Sequence, residues 1–188
     1  MNTLPANALP PPGRRVAWRA LDPIADLDLL YDWMHAPHVV PFWQLALPRP
    51  RLAAYLQAAA TDSHQDVLIG VVDGEPVSYW EIYWAERDRL ATFCAIRPWD
   101  QGVHLLIGPA ALTGRGLGRL LLGAISRWLL DREPRTERVL AEPDIRNDRS
   151  IRLFEHCGFR REAELVLPEK RAVLMVLHRE SPGPEQIQ

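Results

Sequence analysis
The chemistry this chain offers begins at His104, which stands in the apolar run Gly102-Val103-His104-Leu105-Leu106-Ile107. An imidazole titrates near neutrality, so it can take and return a proton at physiological pH. A histidine in a strand also commonly fills a hydrogen-bonding place in a core, and both roles remain open for His104. Six residues after that run comes Thr113-Gly114-Arg115-Gly116-Leu117-Gly118-Arg119. Three missing Cβ atoms let a backbone bring its N–H groups close to an anion. From Leu117 the residues Leu120, Leu121, Ala124, Ile125 and Trp128 recur at helical spacing, so this loop opens the positive end of a helix dipole. The spacing suits a phosphate. It is neither the dinucleotide fingerprint, which needs G-x-G-x-x-G, nor a phosphate loop closed by Gly-Lys-Ser/Thr. Further on, Ala141-Glu142-Pro143-Asp144-Ile145-Arg146-Asn147 leaves one element and enters the next. Asp144 there can orient His104, hold a cationic substrate end, or serve the turn itself, and Asn147 can cap the helix that follows or bond a ligand amide.

The elements that must position these groups follow from periodicity. Asp22-Pro23 starts a helix that Pro37 stops, and a second helix covers about 51–60. Strands at 67–72 and 77–84, joined by Asp73-Gly74-Glu75-Pro76, form a hairpin. A strand at 102–107 precedes the glycine loop and its helix. A short strand at 138–141, a helix at 147–156, and strands at about 162–167 and 172–179 complete an ααβββαβαββ order. This is a mixed α+β layout. In the strand 79–84, Tyr79, Glu81 and Tyr83 share one face. Trp33, Phe42, Trp43, Tyr79, Trp80, Tyr83 and Trp84 concentrate aromatic surface in the first half of the chain, enough to wall a channel, although most of these rings are expected to pack as core.

Residues 16–180 are expected to form one domain, with Pro-rich 1–15 and polar 181–188 as mobile tails. A net charge of −2 gives no electrostatic case for nucleic acid or an anionic membrane. Two cysteines, Cys94 and Cys157, do not make a disulfide framework, and no apolar run nears eighteen residues. A cytoplasmic protein, monomer or homodimer, without a metal site, is the expectation.

The loop 113–118 resembles the pyrophosphate loop Gln/Arg-x-x-Gly-x-Gly/Ala of the GNAT acyltransferases, with Thr113 standing where Gln or Arg is usual. About thirty residues later, Asn147-Asp148-Arg149-Ser150-Ile151-Arg152-Leu153-Phe154-Glu155-His156-Cys157-Gly158-Phe159 resembles the second signature of that family. The resemblance implies a mostly antiparallel central sheet splayed at its fourth and fifth strands, and acetyl-CoA or another acyl-CoA as co-substrate. It places cofactor contacts on Leu106, Ile107, Thr113, Gly114, Arg115, Gly116, Leu117, Gly118, Arg119, Asn147, Ser150 and Phe154, with a backbone oxyanion donor near Leu106 or Ile107. Many relatives carry Tyr at the place of Phe154 to protonate the leaving thiolate, which a phenyl ring cannot do.

Segments around Trp33, 37–43, 78–83, 102–108, 142–147 and 167–170 narrow the likeness to the siderophore-biosynthesis acyltransferases, over residues 17–179. That group implies His104 and Asp144 as catalytic pair, His104 as general base in a ternary complex, and a small-molecule acceptor: the side-chain nitrogen of lysine, N6-hydroxylysine or a related diamine. His38, Trp43 and Glu81 are the candidate acceptor contacts. Two alternatives stand beside this reading. Aminoglycoside 6′-N-acetyltransferases share both motifs but have acidic clefts, whereas the acids of this chain are not concentrated near its aromatic segments. A noncatalytic acyl-CoA sensor would keep the cofactor site alone.

Overall fold
The computed structural model describes residues 15–179. The two tail expectations fall almost entirely outside them. Seven strands form one sheet in the order β1-β2-β3-β4-β5-β7-β6. These are β1 (Val16–Ala20), β2 (Gln65–Val72), β3 (Glu75–Trp84), β4 (Gln101–Ile107), β5 (Arg138–Ala141), β6 (Arg160–Val166) and β7 (Arg171–His178). The helices are α1 (Leu27–Met34), α2 (Arg49–Thr61), α3 (Leu117–Arg132) and α4 (Asp148–His156). Every neighbouring strand pair is antiparallel except β4–β5.

The expected order lacked β1. Val16 and Trp18 alternate inward there, but a five-residue strand among arginines presents little periodic signal, and it forms because β2 supplies an antiparallel partner from Val16↔Val72 to Ala20↔Leu68. Short 3₁₀ turns at 85–87 and 89–92 fill the β3–β4 connection.

Strand alternation sorts the core into two faces. Trp80, Ile82, Val103, Val139 and Ala141 pack with Leu121, Ile125 and Leu129 of α3 and Ile151 and Phe154 of α4. On the opposite face Ile69, Tyr79 and Leu106 meet Leu30 and Trp33 of α1 and Leu52 and Leu56 of α2. Further along that second face Tyr83, Leu90, Leu140 and Leu174 form a separate cluster.

The sheet opens where its one parallel pairing stops. β4 and β5 align only at Gln101↔Val139 and Gly102↔Leu140. Beyond Ala141 the chain stays with β7: Pro143 O accepts from Val173 N at 3.0 Å, Asp144 bridges Ala172, and Ile145 N donates to Arg171 O at 2.9 Å. β4 meanwhile stays with β3 through Ser78↔Ile107. The two strands therefore part, as the resemblance to the acyltransferases required.

Candidate active site
A cleft of about 490 Å³ occupies this opening, with Trp43 and Tyr55 from the α1–α2 side, Tyr83 of β3, and Asn147, Ser150 and Phe154 of α4 in its walls. His104 and Glu81 are direct partners across β3 and β4, so their side chains rise on the same face into it.

Both ring nitrogens of His104 meet carboxylates. Nδ1 is 3.2 Å from Glu81 Oε2 and Nε2 is 2.7 Å from Glu142 Oε1. An ionised carboxylate only accepts hydrogen bonds, so each nitrogen must carry a proton and the ring is an imidazolium. Burial works against that charge, but the negative charge of Glu142 and the hydrogen bonds from both carboxylates outweigh it and raise the His104 pKa to about 10. Burial likewise opposes the charge of Glu142, yet His104 and the neighbouring Lys170 hold its carboxyl far below the ordinary range. Glu81 is also lowered despite its burial, by His104 and by hydrogen bonds from the hydroxyls of Tyr55 at 2.6 Å and Tyr79 at 2.8 Å. Tyr83 completes the bracket, donating to Glu142 Oε2 at 3.0 Å. Its ring lies where a Cβ on Gly102 would be, 2.1 Å from Cζ, so glycine at 102 is what allows the Tyr83 hydroxyl to reach Glu142.

The partner expected for His104 was Asp144. Its carboxylate is instead turned to Arg146, accepting from Nε at 3.0 Å and Nη2 at 2.7 Å, and Glu142 takes the contact with His104. Glu142 and Asp144 both keep the parity of Leu140 along β7, but Asp144 stands one residue pair further on, and its carboxylate pairs with Arg146 in its own turn while Glu142 meets His104.

Backbone geometry also divides the expected cofactor contacts. Ala85 N donates to Asp100 O and Gly108 N to Val77 O, so even-numbered residues of β4 direct their peptide groups at β3. Leu106 is spent in the sheet. Leu105 and Ile107 present their N–H groups to the opening, and Ile107 C=O is taken by His38 Nε2 at 2.9 Å. His38 thus braces the end of β4 rather than lining the cleft. Trp43 does line it, with its ring edge-on to His104 at 6.3 Å. Glu81 lines it too, with its carboxylate already engaged by three protein donors.

The glycine loop follows β4 outside the cleft wall. Gly114 and Gly116 have φ of +73° and +79°, and Gly116 is the N-cap of α3 without any side-chain cap, leaving first-turn N–H groups free for an anion. Gly118 serves a different purpose: a Cβ there would come within 3.0 Å of Leu153 Cδ2, so glycine lets α3 approach α4. Thr113 donates its hydroxyl to Ala110 C=O in the preceding turn, and the exposed Arg115 and Arg119 flank the loop. Asn147 Oδ1 accepts from Ser150 N at 3.1 Å and caps α4.

Sequence separation misjudged the acids. Glu81, Asp88, Glu142, Asp144 and Glu169 all line the cleft beside Phe42, Trp43 and Tyr83, so the contrast drawn with acidic aminoglycoside clefts does not hold in space. Tyr55, Lys170 and Glu142 were not singled out from sequence. Glu142 alone of these left a signal, as a residue continuing the inward face of the strand at 138–141, a parity that Asp144 shares.

Residues 22–167 match the family of acetyltransferase (GNAT) domains. The chain is 36% identical to an N(6)-hydroxylysine O-acetyltransferase of Escherichia coli, over 88% of this chain and 53% of that protein. It thus spans about half the length of that relative. It is 35% identical to the lysine N-acyltransferase MbtK of Mycolicibacterium paratuberculosis, over 82% and 70%. Identity is 36% with an N-hydroxyputrescine acetyltransferase of Acinetobacter baumannii, over 82% and 74%. Among solved structures, an uncharacterized Bacillus halodurans protein superposes with a TM-score of 0.85 at 39% identity, covering 88% of this chain and 84% of that one. The aminoglycoside acetyltransferase AAC(6′)-Ib in complex with coenzyme A superposes at 0.74 with 27% identity, covering 87% and 95%.

Proposed function
This chain belongs to the GNAT acetyltransferase family, and from that premise we propose that it transfers an acyl group, most simply acetyl, from acyl-CoA to the side-chain nitrogen of N6-hydroxylysine, lysine or a related diamine in hydroxamate siderophore biosynthesis. The observation that carries this reading is the His104 bracket at the mouth of the β4–β5 opening.

The free N–H groups of 116–119 and the flanking arginines suit the pyrophosphate of coenzyme A, and the Leu105 and Ile107 edge suits its amide-bearing arm. An N–H on that edge stabilises the oxyanion as nitrogen attacks the thioester in a ternary complex. The C–N bond forms, the C–S bond breaks, and one proton must pass from nitrogen to sulfur. His104 starts as an imidazolium. It gives a proton to the departing thiolate, a task Phe154 cannot perform, and the imidazole so formed takes one from the nitrogen. An imidazolium cannot deprotonate a lysine ammonium, whose pKa is about 10.4, whereas a hydroxylamine nitrogen is already neutral. The site is therefore suited to hydroxylated acceptors.

A second reading rests on the acidic cleft and the likeness to AAC(6′)-Ib: acetylation of an aminoglycoside. Thiol release from acetyl-CoA with lysine, N6-hydroxylysine, N-hydroxydiamines and kanamycin separates the two. Hydroxylated nitrogen is expected to give the highest kcat/KM. Kanamycin as the best acceptor would establish the second reading, and calorimetric binding of acetyl-CoA with no release to any acceptor would leave a sensor.

A further inference from the structure
One oxygen of the His104 bracket is shared by two cations. Glu142 Oε1 lies 2.7 Å from His104 Nε2 and 3.6 Å from Lys170 Nζ, the first within hydrogen-bond reach and the second just outside it. Lys170 stands in the turn between β6 and β7, with 16% of its side chain exposed, and donates one of its three N–H groups to Glu142 C=O at 2.6 Å. The ammonium is thus tied to the backbone of the residue whose carboxylate it approaches. The charged and titratable groups around it have their own partners. On β3, Glu81 holds His104 Nδ1 and accepts from Tyr55 of α2 and from Tyr79, while Tyr83 holds Glu142 Oε2. Asp144 is paired with Arg146, Glu169 with Arg89 of the β3–β4 connection, and Asp88 accepts from Leu90 N.

We propose that Lys170 is a positioning residue for acyl transfer, closing on Glu142 Oε1 as His104 hands its proton to the departing thiolate. This deepens the acyl-transfer reading and rests on it. In that step an N–H bond of the imidazolium breaks, an S–H bond forms, and the thiolate and the ring both become neutral. Whichever ring nitrogen gives the proton, Glu142 loses the cation beside it, and a buried carboxylate left without one is costly. Lys170 is placed to meet that cost. An ammonium bonded to one carbonyl keeps two further N–H groups, and less than about 1 Å of travel takes Nζ from 3.6 Å to the ~2.8 Å of a charged hydrogen bond with Oε1. Before the transfer the same charge repels the imidazolium that shares this oxygen. Lys170 therefore favours release of the proton both by pressing on the charged ring and by replacing it.

Two variants separate charge from hydrogen bonding. Lys170→Gln keeps a donor for Glu142 C=O and removes the charge, whereas Lys170→Arg keeps both. An NMR titration of His104 reads the coupling without any turnover: its midpoint should rise by about one pH unit or more in Lys170→Gln, because a like charge has gone, and stay close to the wild-type value in Lys170→Arg. With acetyl-CoA and N6-hydroxylysine, Lys170→Gln should lose about tenfold in kcat with KM for acetyl-CoA little changed, and Lys170→Arg should recover most of that rate. A midpoint in Lys170→Gln at or below the wild-type value, or wild-type kcat in that variant, overturns the proposal while leaving acyl transfer intact. Equal losses of kcat in both variants with an unmoved midpoint would assign Lys170 a structural role and overturn it as well. An absence of transfer by the wild-type protein would instead overturn the acyl-transfer reading, and the proposal with it.

Discussion

His104→Ala is expected to lower kcat/KM for a hydroxylated acceptor by about 10²- to 10⁴-fold, the range of a positioned acid–base group. The loss should appear in kcat, because the glycine loop and the β4 edge that suit the cofactor do not depend on the imidazole. Calorimetric affinity for acetyl-CoA is therefore expected to stay within about twofold. Removal of the cation leaves Glu81 and Glu142, both buried, facing one another across the cleft. Some stability must go with it. His104→Gln, which keeps a donor in the gap, should recover much of the melting temperature and little of the rate. Wild-type turnover in a folded His104→Ala protein between pH 6 and 9 would remove His104 from the mechanism.

The second large effect is expected at Glu142. Glu142→Gln removes the charge that most raises the His104 pKa, so the alkaline limb of the rate profile should move down by about 1–3 pH units, the usual effect of a nearby opposite charge. Stability follows from the sign of each shift. His104 is raised from 6.5 to about 10, so its contribution is complete below pH 6.5 and is lost as pH climbs through 10. Glu142 is lowered from 4.5, so its contribution is present above pH 4.5 and is lost on acidification through its depressed native value. The gap in melting temperature between wild type and Glu142→Gln should be widest between pH 4.5 and 6.5 and should close towards pH 10. A gap independent of pH would mean that Glu142 acts by packing alone.

Local signals were enough to find the strand, glycine loop and helix around 102–132, because each is written in contiguous residues: an apolar run, glycines where φ is positive, then a 3.6-residue period. Strand alternation likewise put Tyr79, Glu81 and Tyr83 on one face, and the hydroxyls of Tyr79 and Tyr83 do turn to Glu81 and Glu142. What could not be read is what depends on pairing between distant segments. The choice of Glu142 over Asp144, two acids of the same strand parity, follows from how far each stands along the strand from His104 and from the capture of Asp144 by Arg146. The grouping of Asp88 and Glu169 with the central acids needs the β6–β7 turn to fold back on the β3–β4 connection, where Glu169 meets Arg89. Parity in β4 decides that Ile107 rather than Leu106 faces the opening, and that parity is fixed only by the hydrogen bonds at Ala85 and Gly108.

The protonation of His104 in the free protein tests the bracket of carboxylates most directly. An NMR titration of its imidazole, assigned by the signal missing from His104→Gln, should show a ring that stays protonated through neutral pH and loses its proton near pH 10. A midpoint near 6.5 would contradict the account, since His104 would then enter the reaction as a neutral imidazole and the two carboxylates would not govern its charge.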